Sequence, residues 1–530
     1  MKNAVGRDIP DFLLQGGREV FQGNNYKDGA IYTKPGPTVR AAVKPEESKI
    51  LPSIRDAIEL CGLKDGMTVS FHHHFRDGDY VVNMVVREIE SLGIKDITIA
   101  ASSLGDAHDP LAAMIESGVV TGIQTSGIRG KIGDAVSNGK LKGRAILRSH
   151  GGRVRAIEQG ELHIDVAFIG APTSDEYGNA RGKGGKSDCG VLSYSVADAK
   201  YADHVVVITD TLVPFPNLPP SIDGVDVDYV VVVDEIGDPK KIASQALRMT
   251  QDPRNLMMAE NCARVMAATP YFKDGFSFQT GAGGPSLAVN RFLESIMTER
   301  GIKMRWALGG ITKPTVDLLN KGLINCVADT QDFDVASVQS VHSTPGHYEI
   351  STSQYANPVN KGAFVNKLDF VILAALEIDV DFNVNVVTGS DGVLRGAPGG
   401  HPDAAGGAKC TIIVAPLVRG RIPTVCDRVV TVTTPGESID VLVTDYGIAV
   451  NPSRPDLADA LVSAGIPLVT IRDLKMKAYS IVGTPDDVEF DDRIVAVMEA
   501  RDGTILDVVR QVKKFDLDIS DAGVFDFKIV

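Results

Sequence analysis

The sequence predicts an α/β protein made of two tandem homologous domains with largely parallel sheets. Three observations predict it. Short β-branched runs alternate with amphipathic stretches, the runs are continuous rather than alternating in polarity, and two parts of the chain repeat each other in order. Continuous apolar runs bounded by Gly, Pro or Asp suit strands covered on both faces, as in parallel sheets. Their alternation with helical patterns argues for α/β layering.

Along the chain, the strand candidates are "DVAFIGA" from Asp165, "HVVVITD" from His204, "DYVVVVD" from Asp228, "FVILAAL" from Phe370 and "CTIIVAP" from Cys410. "VVNMVVREIESLG" from Val81 and "LAVNRFLESIMTERG" from Leu287 carry the helical pattern. Lys64-Asp65-Gly66 returns 209 positions on as Lys273-Asp274-Gly275, and each copy is followed by a strand, a loop and a helix ending in Gly-Ile-Lys. "DVAFIGAPTSDEYGN" from Asp165 is echoed by "DFVILAALEIDVDFN" from Asp369; at an offset of 204, Asp175 matches Asp379 and Asn179 matches Asn383. Two echoes in the same order imply a duplication. We place the cut near Asp238, giving a first domain at 1–238 with an N-terminal extension and a second at 239–530. Residues 1 to about 48 are expected to wrap the first domain or a neighbour, and residues from about 436 to elaborate the second. The last fifteen residues have no assignment.

Composition narrows the function. The chain has 530 residues, 44% hydrophobic and 23% charged, with 54 Lys+Arg against 68 Asp+Glu, a net charge of −14. Nucleic acid as the main partner is disfavoured, because phosphate binding wants a basic surface. The six cysteines include no C-x-x-C pair, which argues against a zinc ribbon or redox dithiol and for a reducing compartment. The N-terminal stretch lacks the apolar core of a signal peptide, and no run approaches the ~18 apolar residues of a membrane span. A cytoplasmic protein is expected.

Glu377 carries the first chemical signal. It follows an apolar run, and its counterpart in the first copy is Thr173, so the scaffold itself does not require a carboxylate there. The competing reading is a salt-bridged or solvated strand-end glutamate. Downstream lies "RGAPGGHPDAAGGAK", from Arg395 to Lys409, and "TGAGGPS" runs from Thr280 to Ser286 before a helix. Glycines let backbone N–H groups approach a ligand, and such donors hold phosphate or an oxyanion. Neither loop fits a Walker A or dinucleotide fingerprint. A carboxylate beside oxyanion donors suggests acyl chemistry, with the glutamate as nucleophile, base or orienting group.

"SFHHHFRDGDY", from Ser70 to Tyr80, holds three adjacent histidines. On a strand they alternate in direction and cannot share one metal, so no metal site is expected. One or two of His72, His73, His74 and Arg76 are better placed to line a carboxylate pocket; a His-rich surface loop is the alternative. "NARGKGGKSD", from Asn179, places Arg181, Lys183 and Lys186 among glycines, for a polyanion or simply for solvent.

Taken together, these residues resemble the coenzyme A transferases. "TVSFHHHFRDGD", "ALEIDVDFNVN" and "RGAPGGHPDAAGGAK" are similar to the citrate lyase alpha subunit family, over residues 1 to about 515. The resemblance implies two tandem CoA-transferase-like (NagB/RpiA-like) domains. It implies a citrate CoA-transferase that exchanges acetate for citrate on the thiol of an acyl-carrier gamma subunit, whose phosphoribosyl-dephospho-CoA group, or CoA itself, carries the acyl chain. It implies a citryl lyase beta subunit, an oligomeric complex, and no metal in the transferase step. Glu377, Gly399 and Gly400 fall at the positions of the catalytic glutamate and oxyanion glycines of related CoA-transferases, with His401 where those enzymes have Gln. For substrate binding the candidates are His72, His73, His74, Arg76, Arg395 and His401; for the cofactor, Gly281, Gly283 and Gly284. In the family's direct route a citrate carboxylate attacks the acetyl thioester, giving a mixed anhydride that the released thiolate then attacks; Glu377 would then be orienting or electrostatic rather than nucleophilic. The rival functions are an acetate CoA-transferase or acyl-CoA hydrolase using free CoA, and a non-catalytic protein binding a polycarboxylate or sugar phosphate.

Overall fold

A computed structural model describes residues 47–243, 250–281 and 283–513, together with 1–2, 10–14, 20 and 42–43. Most of the N-terminal extension, the centre of the linker after Asp238 and the last fifteen residues lie outside the described part.

Two mixed α/β layers carry the molecule. The first sheet has ten strands in the order Ile50–Leu51, Tyr229–Val232, His204–Thr209, Val166–Ala171, Thr68–Phe71, Ile97–Ala101, Val120–Thr125, Ala145–Leu147, Phe490–Glu499 and Ile505–Val512. The second has eight, in the order His347–Glu349, Val327–Asp332, Met304–Ile311, Phe276–Thr280, Phe370–Leu373, Cys410–Val414, Val441–Val443 and Ile448–Val450. Every pairing is parallel except the hairpins Phe490–Glu499 with Ile505–Val512 and Val441–Val443 with Ile448–Val450. Read from opposite ends, the two orders coincide strand for strand over seven positions, with Thr68–Phe71 matching Phe276–Thr280 and Val166–Ala171 matching Phe370–Leu373; at the eighth, Ile50–Leu51 adds in parallel and Ile448–Val450 antiparallel.

The repeated residues repeat their bonds. Asp65 accepts the Lys95 N–H at 2.8 Å, and Asp274 accepts that of Lys303 at 2.9 Å. The glycine after each aspartate is left-handed, at φ +85° in Gly66 and +82° in Gly275, which explains the Lys-Asp-Gly signature. Asp165 binds the Thr68 N–H as Asp369 binds that of Ser277. Asp175 and Asp379 each accept the Asn side chain four residues on, from Asn179 and Asn383.

Strands covered on both faces explain the unbroken apolar runs. In the second sheet Phe276, Phe278, Phe370, Ile372 and Ile412 enter one core, and Leu308, Val371, Leu373 and Ile413 enter another.

Two expectations change. "FVILAAL" does not run on to Glu377: the strand ends at Leu373, and Glu377–Asp379 belongs to a separate three-stranded sheet with Val384–Asn385 and Val425–Cys426. Nor does a cut at Asp238 separate the sheets. Phe490–Glu499 pairs in parallel with Ala145–Leu147, so the chain's C-terminal hairpin completes the first sheet. Arg148 ties it down, donating to Glu499 at 2.6 and 3.1 Å.

Candidate active site

Ligands of open α/β sheets sit beyond the carboxyl ends of the strands, and there the two halves face each other. A cavity of about 470 Å³ opens between them. His73 and Arg76 follow the strand Thr68–Phe71; Gly281 and Gly283 follow Phe276–Thr280; Thr330, Gln331 and Phe333 come from the end of Val327–Asp332; Gly399, Gly400 and His401 come from the glycine loop.

The three histidines lie beyond the end of the strand Thr68–Phe71 rather than on it. His72 and His74 point away from the cavity, stacked on each other with centroids 6.2 Å apart. His72 Nε2 lies 3.3 Å from Asp198, and His74 Nε2 lies 2.9 Å from the Gly170 carbonyl. His73 lines the cavity, with Nδ1 2.6 Å from Ser102 Oγ. Arg76 is left-handed, at φ +53°, and its guanidinium lies over the Phe333 ring. Its Nη1 is buried without a hydrogen-bond partner. Burial pulls its pKa down, with the neighbouring Arg129 adding to the effect.

His401 reaches the cavity but spends both nitrogens on the protein, Nδ1 with Thr434 Oγ1 at 2.7 Å and Nε2 with the Ala374 carbonyl at 3.0 Å. It braces the glycine loop. Arg395 does not line the cavity; it pairs with Asp391 at 2.8 Å and is half exposed. Gly284 opens the helix Gly284–Arg300 just behind Gly283.

Glu377 is not brought to the cavity either. It is 5% exposed, and its carboxylate accepts Asn385 Nδ2 at 2.8 Å, Ser390 Oγ at 2.7 Å and the Val430 N–H at 3.1 Å. By sequence Glu377 stands at the end of the apolar run Phe370–Leu376, but the strand ends at Leu373. Where the strand breaks, the side chain turns into a fully donated socket.

Arg129, His150, Tyr194 and Gln331 line the cavity without having been singled out in the sequence. Arg129 lies beside Asp77 at 3.4 Å. The His150 ring stacks on His73 at 5.5 Å and lies 4.8 Å from the Tyr194 ring. Burial and the nearby Arg153 push His150 down to about 3, and burial with neighbouring cations keeps His73 well below its usual range, so both rings are neutral near pH 7. "SHGGR" held a usable signal: Gly151 leaves no room for a Cβ against the Ala356 carbonyl, so the glycines mark where His150 is pressed between the halves.

The glycine loop is shaped for an oxyanion. Gly399 is left-handed at φ +52°, and its N–H goes to the Ser126 carbonyl at 3.1 Å. Among the described residues no acceptor takes the Gly400 N–H. A Cβ on Gly400 would collide with Tyr355 Oη. His150 Nδ1, Ser126 Oγ and Gln279 Oε1 are further buried atoms without partners at or beside the cavity. The site therefore offers two guanidinium groups, neutral imidazoles and a backbone N–H without an acceptor among the described residues, groups able to pair with carboxylates and with a carbonyl oxygen.

Arg181 and Lys183 line a different groove, of about 870 Å³, with His342, His347 and Glu349. The Lys186 Nζ donates to the Asp234 carbonyl.

Comparison with known proteins bears on this geometry. The family model for the citrate lyase alpha subunit matches residues 47–512. The citrate lyase alpha chain of Klebsiella pneumoniae is 54% identical over 516 residues, covering 97% of this chain and 100% of that one. That of Escherichia coli is 53% identical over 485 residues, covering 92% and 95%. A crystal structure of an alpha subunit of citrate lyase from Streptococcus mutans, in complex with citrate, superposes with a TM-score of 0.88 at 53% identity, over 97% of this chain and 100% of that one. The malonate decarboxylase alpha subunit of Acinetobacter baumannii shares the fold, with a TM-score of 0.62 at 16% identity over 82% of this chain and 87% of that one.

Proposed function

Because this chain belongs to the citrate lyase alpha subunit family, and is thus a citrate CoA-transferase of that multi-subunit system, we infer that the cavity between its two sheets is where acetate is exchanged for citrate. The observation that carries the reading is the meeting of Arg76 and Arg129 with the Gly399–Gly400 loop across one cavity. Citrate carries about three negative charges near neutral pH. Arg76, with a buried unpaired Nη1, and Arg129 take its carboxylates as charge-assisted pairs.

The acyl carrier supplies the acetyl thioester as substrate, and Gly281 and Gly283 leave its arm room to approach. The Gly400 N–H faces the carbonyl oxygen as charge develops on it. Neutral His73 and His150 donate or accept hydrogen bonds without adding charge. With Glu377 held by three donors, the citrate carboxylate itself is the nucleophile: it attacks the acetyl thioester and releases the carrier thiolate, which then attacks the citryl carbonyl of the citrate–acetate anhydride and expels acetate. Glu377 acts as an anchor for the segments carrying Ser390 and Val430.

The wider frame belongs to the same proposal: tandem CoA-transferase-like (NagB/RpiA-like) domains, a gamma subunit bearing phosphoribosyl-dephospho-CoA, a beta subunit that cleaves the citryl thioester, and a cytoplasmic oligomer. Among the described residues no helix is long and apolar enough to cross a membrane. The test is exchange on the acetylated carrier. Citrate-dependent release of acetate with formation of citryl carrier is expected; equal release without citrate would replace this reading with a hydrolase.

A further inference from the structure

Outside this cavity, one cluster has no role in the transfer. Asp329, Asp332 and His347 are buried, and one ligand atom from each lies within 4.8 Å of the others. Asp332 is 2% exposed, and neither of its carboxylate oxygens receives a hydrogen bond. Asp329 accepts the Gln331 N–H at 2.8 Å and faces His347 Nε2 at 3.1 Å. His347 Nδ1 is fixed by Ser340 Oγ at 2.9 Å, the kind of outer contact that aims the other ring nitrogen of a metal-bound histidine. Among the described residues no Lys or Arg pairs with either carboxylate.

We propose that Asp329, Asp332 and His347 form a divalent-cation site that ties two neighbouring strands of the second sheet together beside the active cavity. With both carboxyls ionised on binding, they and a neutral imidazole would sum to two negative charges, which one divalent ion cancels. An unpaired buried charge is otherwise costly. The donor set, two carboxylates and one imidazole, suits Mn²⁺ or Zn²⁺.

The placement gives the ion an entry path and a purpose. His347 and Gly190 line the larger groove, and Asp332 sits against Gly190, where a Cβ would overlap its carboxylate. The site thus lies on strands of the second sheet, packed against the first half's loop at Gly190. Between the two aspartates lie Thr330 and Gln331, which line the active cavity, and Gln331 Nε2 reaches the His73 carbonyl at 3.3 Å. The ion is a positioning element and takes no part in acyl transfer. Local sequence does not reveal it, because His347 lies fifteen positions beyond Asp332 with no ligand-spacing motif.

The experiment uses the full chain stripped with EDTA, with Mn²⁺ as the probe, read by electron paramagnetic resonance and thermal unfolding. Wild-type protein is expected to take up one equivalent and unfold several degrees higher with Mn²⁺. Asp332→Asn and His347→Gln, each shown by circular dichroism to be folded, are expected to bind at least tenfold more weakly and lose the thermal shift. Asp203→Asn, in the exposed group of His163, Asp165 and Asp203, is expected to bind as wild type. No uptake by the wild type would overturn the proposal in favour of a proton shared between the carboxyls. Uptake that survives Asp332→Asn, or that Asp203→Asn abolishes, would overturn it as well.

Discussion

The guanidinium of Arg76 lies over the ring of Phe333, 4.4 Å from its centroid. The arginine comes from the first half and the phenylalanine from the second, so this contact spans the active cavity. It holds the planar group while Nη1 stays unpaired. Replacing Arg76 with Lys keeps the charge but loses the fork and the stacking. Loss of one charge-assisted carboxylate pair costs about 1.5–3 kcal/mol. Citrate binding by calorimetry is expected to weaken on the order of 10–100-fold in Arg76→Lys, and further in Arg76→Ala. Unchanged affinity in both would remove Arg76 from the citrate site.

Glu377 is expected to matter for stability rather than for chemistry. In Glu377→Gln, one carboxylate oxygen that accepts a donor becomes an NH₂ facing it. Leaving a buried donor unpaired costs about 1–3 kcal/mol. The variant is expected to melt at lower temperature while exchanging citrate for acetate at a rate within about threefold of wild type. A large fall in kcat at unchanged stability would return Glu377 to the chemistry.

The contrast between Glu377 and the repeated aspartates shows what the sequence carried. Asp65, Asp274, Asp379 and Asn383 were legible because duplication preserves backbone-capping bonds, and these recur with nearly equal lengths in both halves. His73, Arg76, Gly399 and Gly400 were legible because three histidines in a row and paired glycines are unusual locally. Arg129, His150 and Tyr194 sit on separate elements, and only the packing of the two sheets brings them together. The strand Phe490–Glu499 reads as part of the second half by position, yet its partner Ala145–Leu147 lies some 350 residues earlier. Periodicity reports a strand but not its neighbour.

Acid should destabilise the fold through its buried histidines. Burial lowers His150 to about 3, and His74 and His401 to about 4. Each is charged in the unfolded chain below about pH 6.5 but neutral in the fold. Between those values the unfolded state binds more protons, so stability falls as pH drops from about 6.5 towards 4. Each group contributes up to about 1.4 kcal/mol per pH unit within its window. The melting temperature is expected to fall steadily from pH 6.5 to 4.5, less steeply in His401→Gln. An unchanged slope in that variant would mean that His401 is already charged in the fold.

The last prediction concerns Gly400. Its N–H has no acceptor among the described residues, and Tyr355 Oη stands where a Cβ would go. Gly400→Ala therefore has to displace either the loop or Tyr355, whose Oη also accepts Gln279 Nε2 at 2.9 Å. Mispositioning one oxyanion donor typically costs about 10²-fold in kcat. Gly400→Ala is expected to lose rate of that order with little change in the KM for citrate, since the donor acts on the carbonyl and the guanidinium groups hold the carboxylates. Adding Tyr355→Phe removes the colliding oxygen and leaves the amide in place. If the loss comes from a displaced donor, the double variant recovers part of the rate; if it is no faster than Gly400→Ala, the collision with Tyr355 is not the cause.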